Sequence, residues 1–257
     1  MPQGEHLLRR NYLPADLEPG LKSAAVDRTV IVQAHQSVDE TRWLLAIADK
    51  TEFVDGVVGW VDLADDRLSE TLDDLQRNPY FSGVRHIWHD EPDPAWILRA
   101  DVVRGLGELA ARGIPYDLLV RPIHLPLIEP LLNQIPNLKT VVDHIGKPLI
   151  HERAFEPWLT DLRLVAEIPN VWCKLSGMVT EADMENWTVD DLRPYVGYVL
   201  EMFGADRLMF GSDWPVSLQA SSYERVVGSI DEALGPLSKF DRIKIFGTNA
   251  VDFYSLE

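Results

Sequence analysis

One cysteine in 257 residues, Cys173, is all the thiol chemistry the chain has. A lone thiol cannot close an intramolecular disulfide or build a cysteine-rich zinc site, and it suits a reducing cytosol. Positive charge is also scarce: 24 Lys and Arg against 41 Asp and Glu leave a net charge of -17. Without a basic surplus to displace counterions from phosphates, nucleic acid is excluded as a partner. No apolar run approaches the roughly 18–20 residues of a membrane span. The opening MPQGEHLLRR lacks the apolar segment of a signal peptide. A soluble cytoplasmic protein with no membrane partner is expected. Glycine-rich phosphate fingerprints are missing too, which disfavours a dinucleotide-binding doubly wound fold.

What is present is ordinary globular material, 46% apolar and 25% charged, enough for one α/β barrel or two small domains. Seven apolar or β-branched runs recur at even spacing: TVIVQA (29–34), GVVGWVDL (56–63), FSGVRHIW (81–88), YDLLVRP (116–122), KTVVDHIG (139–146), VWCKLSGM (171–178) and RLMFGSDW (207–214). Segments with helical spacing lie between them. Residues 37–50 open with Ser37 and Glu40 at capping-box spacing. Residues 94–113 begin with a proline and end in glycine, and residues 194–204 and 223–235 also end in glycine. Strands alternating with helices mean βα units and a parallel sheet. With no low-complexity linker and no shift in composition, residues 1–257 read as one domain.

The strand ends carry the chemistry. They supply Arg85, His86 and His89, then Arg121 and His124, then Asp143, His144 and Lys147, then Lys174 and Ser176, and finally Asp213 and Trp214. Four of the seven histidines fall in these segments. A single Asp or His beyond a strand is a common turn former; their recurrence at one end of many strands points to the reactive face of a barrel. His89, beside Asp90 and Glu91, reads as a polar approach to a helix, and Cys173 as a small buried hydrophobe. Trp60, Trp88 and Trp214 are placed to shape a pocket, whereas Trp43, Trp96 and Trp158 read as packing residues.

The blocks YLPADL, VVGWVDL, GVRHIWHDEPDP, DHIGKP, CKLSG, FGSDWP and FGTNAVDFY resemble, in order, the amidohydrolase-related branch of the amidohydrolase superfamily, and within it the sugar-lactonase group. The resemblance implies a (β/α)8 TIM-barrel-like fold and hydrolysis of a lactone. It places His144 at the family's sixth-strand histidine and Asp213 at its eighth-strand aspartate. The family's first strand, ending in His-x-His, would precede YLPADL by some thirty residues. Here that block starts at Tyr12, no His-x-His occurs, and only seven of eight strands are evident. An unclosed barrel leaves two edges of unpaired backbone, at about 1–3 kcal/mol for each buried unsatisfied group. Two expectations follow. Either the chain starts at an internal methionine or has been trimmed, or the N-terminal arm, a partner chain or a rearranged sheet fills the gap.

The resemblance leaves the cofactor as none or one divalent metal, zinc being the usual choice. Zinc takes three or four protein ligands, and without the first-strand pair only His144, Asp213 and His124 come forward. Arg121 stands where a metal-binding relative would carry a histidine, so a tightly bound ion is disfavoured. The expected catalytic residues are Asp213, as base toward water, and His144. Arg85, His86, Arg121, His124, Lys147 and Trp214 are expected to bind the substrate, a small sugar lactone. Two other readings remain open at this point. One is a metal-dependent decarboxylase on the same scaffold, betrayed by carbon dioxide release; the other is a truncated paralogue that binds without turnover.

Overall fold

The computed structural model describes residues 7–256. Seven parallel strands follow in chain order, each within or overlapping one of the seven apolar runs: β1 (Thr29–Val32), β2 (Val54–Gly59), β3 (Phe81–His86), β4 (Tyr116–Leu118), β5 (Thr140–Val142), β6 (Val171–Leu175) and β7 (Leu208–Phe210). Neighbours in sequence are neighbours in the sheet throughout, the usual outcome of short βα connections. The strands are shorter than the runs that announce them. β5, for instance, stops at Val142, because the chain beyond it leaves the ladder in a 3-10 turn over Asp143–Gly146 that carries His144.

The helices are α1 (Pro14–Ser23), α2 (Val38–Ala48), α3 (Leu68–Leu75), α4 (Ala100–Ala111), α5 (Ile128–Gln134), α6 (Trp158–Ala166), α7 (Met178–Glu181), α8 (Val189–Phe203), α9 (Tyr223–Leu234), α10 (Lys239–Ile243) and α11 (Asn249–Tyr254). Ser37 caps α2 by accepting from the Glu40 amide at 3.0 Å. The Glu40 carboxylate does not return to Ser37; it accepts from the amides of Ala34 and His35 at 3.2 and 2.8 Å, just beyond β1. Residues 94–113 are not one helix. A 3-10 turn over Pro94–Leu98 precedes α4, with Arg99 extended between them. The break lets Trp96 drop onto His86, ring centroids 4.0 Å apart.

A large apolar core lies between the sheet and its helices. A second core lies inside the curl of the sheet. Val58 of β2, Val141 of β5 and Met209 of β7 form one buried cluster with Phe253 and Tyr254 of α11, and Val30 and Val32 of β1 and Trp172 of β6 pack against that cluster. Both edge strands contributing to one cluster means that the sheet is curled. Lys139 fixes the end of this plug by donating to the carbonyls of Asp252 and Phe253 at 2.9 and 2.8 Å, the favourable place for a cation on a helix.

Among the described residues β1 and β7 do not pair, so the curl is open at that seam. β1 is half-buried along its whole length, unlike the fully buried β4 and β5. The sheet has not been rearranged, and residues 7–13 add no strand to it. That segment instead leads into α1, whose Gly20 lies close against Tyr223 of α9. The seam makes the α11 plug the main tie between the sheet edges. Phe253→Ala is expected to lower unfolding stability by about 3–5 kcal/mol, read from the denaturant midpoint. A loss below about 1 kcal/mol would mean that the edges are tied elsewhere.

Candidate active site at the strand ends

After β5 the backbone turns into the left-handed region at three non-glycine residues: His144 (φ 53°), Ile145 (φ 49°) and Lys147 (φ 51°). Such residues are strained and persist only where their surroundings hold them. The Trp158 indole donates to the Ile145 carbonyl at 2.7 Å. Lys147 pairs with Glu181 at 2.7 Å, both largely buried. The His144 Nδ1 lies 2.8 Å from the Ser176 hydroxyl. Gly177, itself at φ 63°, makes room for the ring, since a Cβ there would fall 2.6 Å from His144 Cγ. A fourth left-handed residue, Asp213 (φ 53°), follows β7, and its carboxylate stands 3.7 Å from His144 Nε2.

Burial lowers the His144 pKa below the histidine norm, outweighing Asp213 and Asp143, which raise it. In the neutral ring, a Ser176 hydroxyl donating to Nδ1 leaves the N–H on Nε2, the nitrogen toward Asp213. In that tautomer the site offers a directed donor beside a carboxylate. Trp214 is half-buried, with Tyr12 edge-on to its indole at 5.2 Å between centroids.

Beneath this pair runs a chain of buried charges. Arg85 donates to Asp143 Oδ2 at 2.8 Å and to the Gln33 carbonyl. Lys174 bridges Asp143 Oδ1 at 2.8 Å and Asp117 Oδ2 at 2.6 Å, and the Tyr254 hydroxyl reaches Asp117 at 2.9 Å. Burial alone would raise the Asp143 carboxyl, but Lys174 and Arg85 hold it below the usual carboxylate range. Burial pushes the Asp117 carboxyl up to about 6 against the pull of Lys174.

The structure brings His144, Lys147, Asp213 and Trp214 to one face, as residue positions; several other expected site residues have different neighbours. Arg85 is spent on Asp143 and Gln33, so it faces the interior. His86 has both ring nitrogens engaged: the Trp60 indole donates to Nδ1 at 3.0 Å, and Nε2 lies 2.7 Å from Glu91. An indole can only donate, so Nδ1 must be bare and Nε2–H must face Glu91. His124 is buried against Trp88, its Nδ1 accepting from the Arg121 amide at 3.1 Å. Arg121 itself is exposed, with no ion pair among the described residues. Trp88 is fully buried and shapes no pocket, whereas Trp96 stacks on His86 and Trp43 is exposed.

His89 was expected to be a bystander, yet it lies among these groups. Its amide donates to Leu119 at 3.2 Å, and Nδ1 is buried without a partner. Burial, then Lys147, pushes its pKa down to about 4, with Arg121 and His144 acting in the same direction. The spacing VRHIWHD gives no hint of this, because it depends on the 3-10 turn Trp88–Asp90 folding back onto the end of β4. Ser176 and Glu181, the partners of His144 and Lys147, were likewise not among the expected site residues.

Among the described residues no three His, Cys, Asp or Glu side chains gather as a metal site. His144 and Asp213 supply two donors, one fewer than a catalytic zinc takes, so the described residues do not fit a resident zinc.

Residues 1–256 match the family model described as amidohydrolase. An L-fucono-1,5-lactonase of Burkholderia ambifaria is 38% identical over 265 residues, covering 100% of this chain and 89% of the relative. One from Burkholderia multivorans is 38% identical over 264 residues, covering 98% and 89%. A crystal structure of a Burkholderia multivorans amidohydrolase with bound Zn superposes with a TM-score of 0.95 at 36% identity, covering 99% of this chain and 92% of that one.

Burial depresses His86, His89, His124 and His144 together. At these four rings the unfolded chain therefore binds more protons than the folded one below about pH 6.5, while Asp117, pushed up to about 6, acts in the opposite direction. Stability is expected to be full above that pH and to fall as pH drops toward about 4. His89→Gln should remove roughly 2 kcal/mol of that decline, measured as denaturant midpoints from about pH 7 to about pH 4.5. A His89→Gln profile that declines as much as the wild type's would show that this ring is not buried neutral.

Proposed function

We propose that this chain, which belongs to the amidohydrolase family, hydrolyses a sugar-derived lactone to its aldonic acid. The observation that carries the reading is Asp213 facing the buried His144 across the ends of β7 and β5. The full-length likeness to L-fucono-1,5-lactonases supports it. L-Fuconolactone is the first substrate to try.

Asp213 accepts a proton from water as the oxygen attacks the lactone carbonyl carbon. The carbonyl oxygen becomes an oxyanion, and His144 Nε2–H donates to it, fixed in place before charge develops. When the tetrahedral species collapses, the carbon–ring-oxygen bond breaks and the proton held by Asp213 passes to the leaving alkoxide. The product is a hydroxy acid that ionises to the aldonate. Lys147 is tied to Glu181, so Arg121 is the cation open to a substrate hydroxyl or to the new carboxylate. The Trp214 indole covers an apolar sugar face.

Two donors are too few to anchor the metal on which the decarboxylase reading depends, so these steps are assigned to Asp213 and His144 alone. The reaction is placed in the cytoplasm, consistent with one buried free cysteine.

A panel of aldonolactones followed by acid release tests the proposal. Asp213→Asn should lower kcat by roughly 10²–10⁴-fold with KM little changed. Wild-type turnover in that variant would remove Asp213 from the base role. Prolonged dialysis against a chelator is expected to leave the rate intact. Loss of activity that added zinc restores would reinstate a metal, and saturable lactone binding without any turnover would favour the binding-only reading.

A further inference from the structure

The most heavily charged interior of the protein lies below the rim. Asp117, Asp143, Lys174 and Arg85 sit inside the curl, both carboxylates fully buried and both cations nearly so. Two acids and two bases sum to zero, which is why such a cluster can exist in a dry core. Their arrangement is more specific than neutrality demands. Among the described residues Lys174 of β6 is the only side chain paired with both carboxylates, at 2.6 and 2.8 Å. It thereby ties β4, through Asp117, to the residue that follows β5.

That residue, Asp143, immediately precedes the left-handed turn that presents His144. The end of β6 then grips the same turn a second time, because Ser176, just past the strand and two residues beyond Lys174, meets His144 Nδ1. Gly177 supplies the space for the ring. The segment from Lys174 to Gly177 is therefore a cradle: one residue fixes the backbone before His144, one its ring nitrogen, and one its clearance. From the other side, Asp117 is held by Tyr254, which packs with the apolar plug under the sheet. None of these groups reaches the proposed reacting atoms.

We propose that Lys174 is a positioning residue for His144: by holding Asp143 and Asp117 together, it keeps the left-handed turn, and hence Nε2–H, aimed at the oxyanion position. The effect on turnover rests on the lactone-hydrolysis reading; the effect on the ring does not.

Lys174→Met alone would strand buried negative charge and could fail to fold, so the informative variant is Asp117→Asn/Lys174→Met. It removes one acid and one base and leaves the Arg85–Asp143 pair intact. In ¹⁵N-histidine-labelled protein, the His144 ring signals are assigned by their disappearance in His144→Gln. Ser176→Ala serves as a reference for a ring freed at Nδ1. In the double variant, the two ring nitrogen shifts are expected to converge toward the tautomer average. Kcat on the lactone should fall roughly tenfold or more, with KM changed by less than about threefold. Wild-type ring signals in a cooperatively melting double variant would overturn the proposal, whether or not any lactone is turned over. Should that variant not melt cooperatively, Asp117→Asn/Lys174→Gln is read in the same way, with the same result expected and the same result overturning it.

Discussion

The Lys174 bridge between Asp117 and Asp143 is the constraint on which the rest of the site depends. Each carboxylate alone, fully buried, would be untenable in an apolar interior; with Lys174 and Arg85 the four charges cancel. Replacing them with apolar residues of equal volume could leave stability unharmed, so their presence is better explained by what they aim. A hydrophobic core fills space without fixing direction. A cation between two carboxylates at hydrogen-bond distance fixes three strands against one another, and the strained turn after β5 inherits that order.

The strain itself has a purpose. His144, Ile145, Lys147 and Asp213 all occupy backbone conformations that residues with side chains avoid. These four residues cluster at the ends of β5 and β7. The supports are independent of one another: an indole on a carbonyl, an ion pair with Glu181, a serine on a ring nitrogen and a glycine that leaves space. Because the rigidity is provided before substrate arrives, the donor toward the oxyanion needs no reorganisation during the reaction. The unclosed seam lies on the other side of this account. The edges of the curled sheet do not pair, yet both contribute to the apolar cluster that holds Phe253 and Tyr254 of α11.

The seven strands and their parallel order were legible in the sequence, because β-branched runs alternating with helical periods leave few alternatives. Asp213 and His144 were legible as rim positions, since strand ends in this architecture share one face. The partners were not. Ser176 and Glu181 act through distances across β6 that no local pattern records. Arg85 looked like a substrate ligand until its pairing with Asp143, 58 positions away, became visible. Trp96 lay in a stretch with unbroken helical character, yet the chain breaks at Arg99 so that the indole can stack on His86. His89, beside two acidic residues, reads as a polar approach to a helix, whereas the fold sets it near Lys147 and Arg121. Side-chain identity announced where the chemistry sits; only the fold shows which charges are already spent.

The central claim is that His144 donates from Nε2 to a carbonyl oxygen whose carbon faces Asp213. The most direct measurement is a crystal structure of the protein with an unreactive lactam analogue of the sugar lactone. The account predicts the lactam carbonyl oxygen within hydrogen-bond distance of His144 Nε2, with its carbon on the Asp213 side of the ring. A lactam whose carbonyl points to Arg121, with His144 contacting only ring hydroxyls, would contradict it.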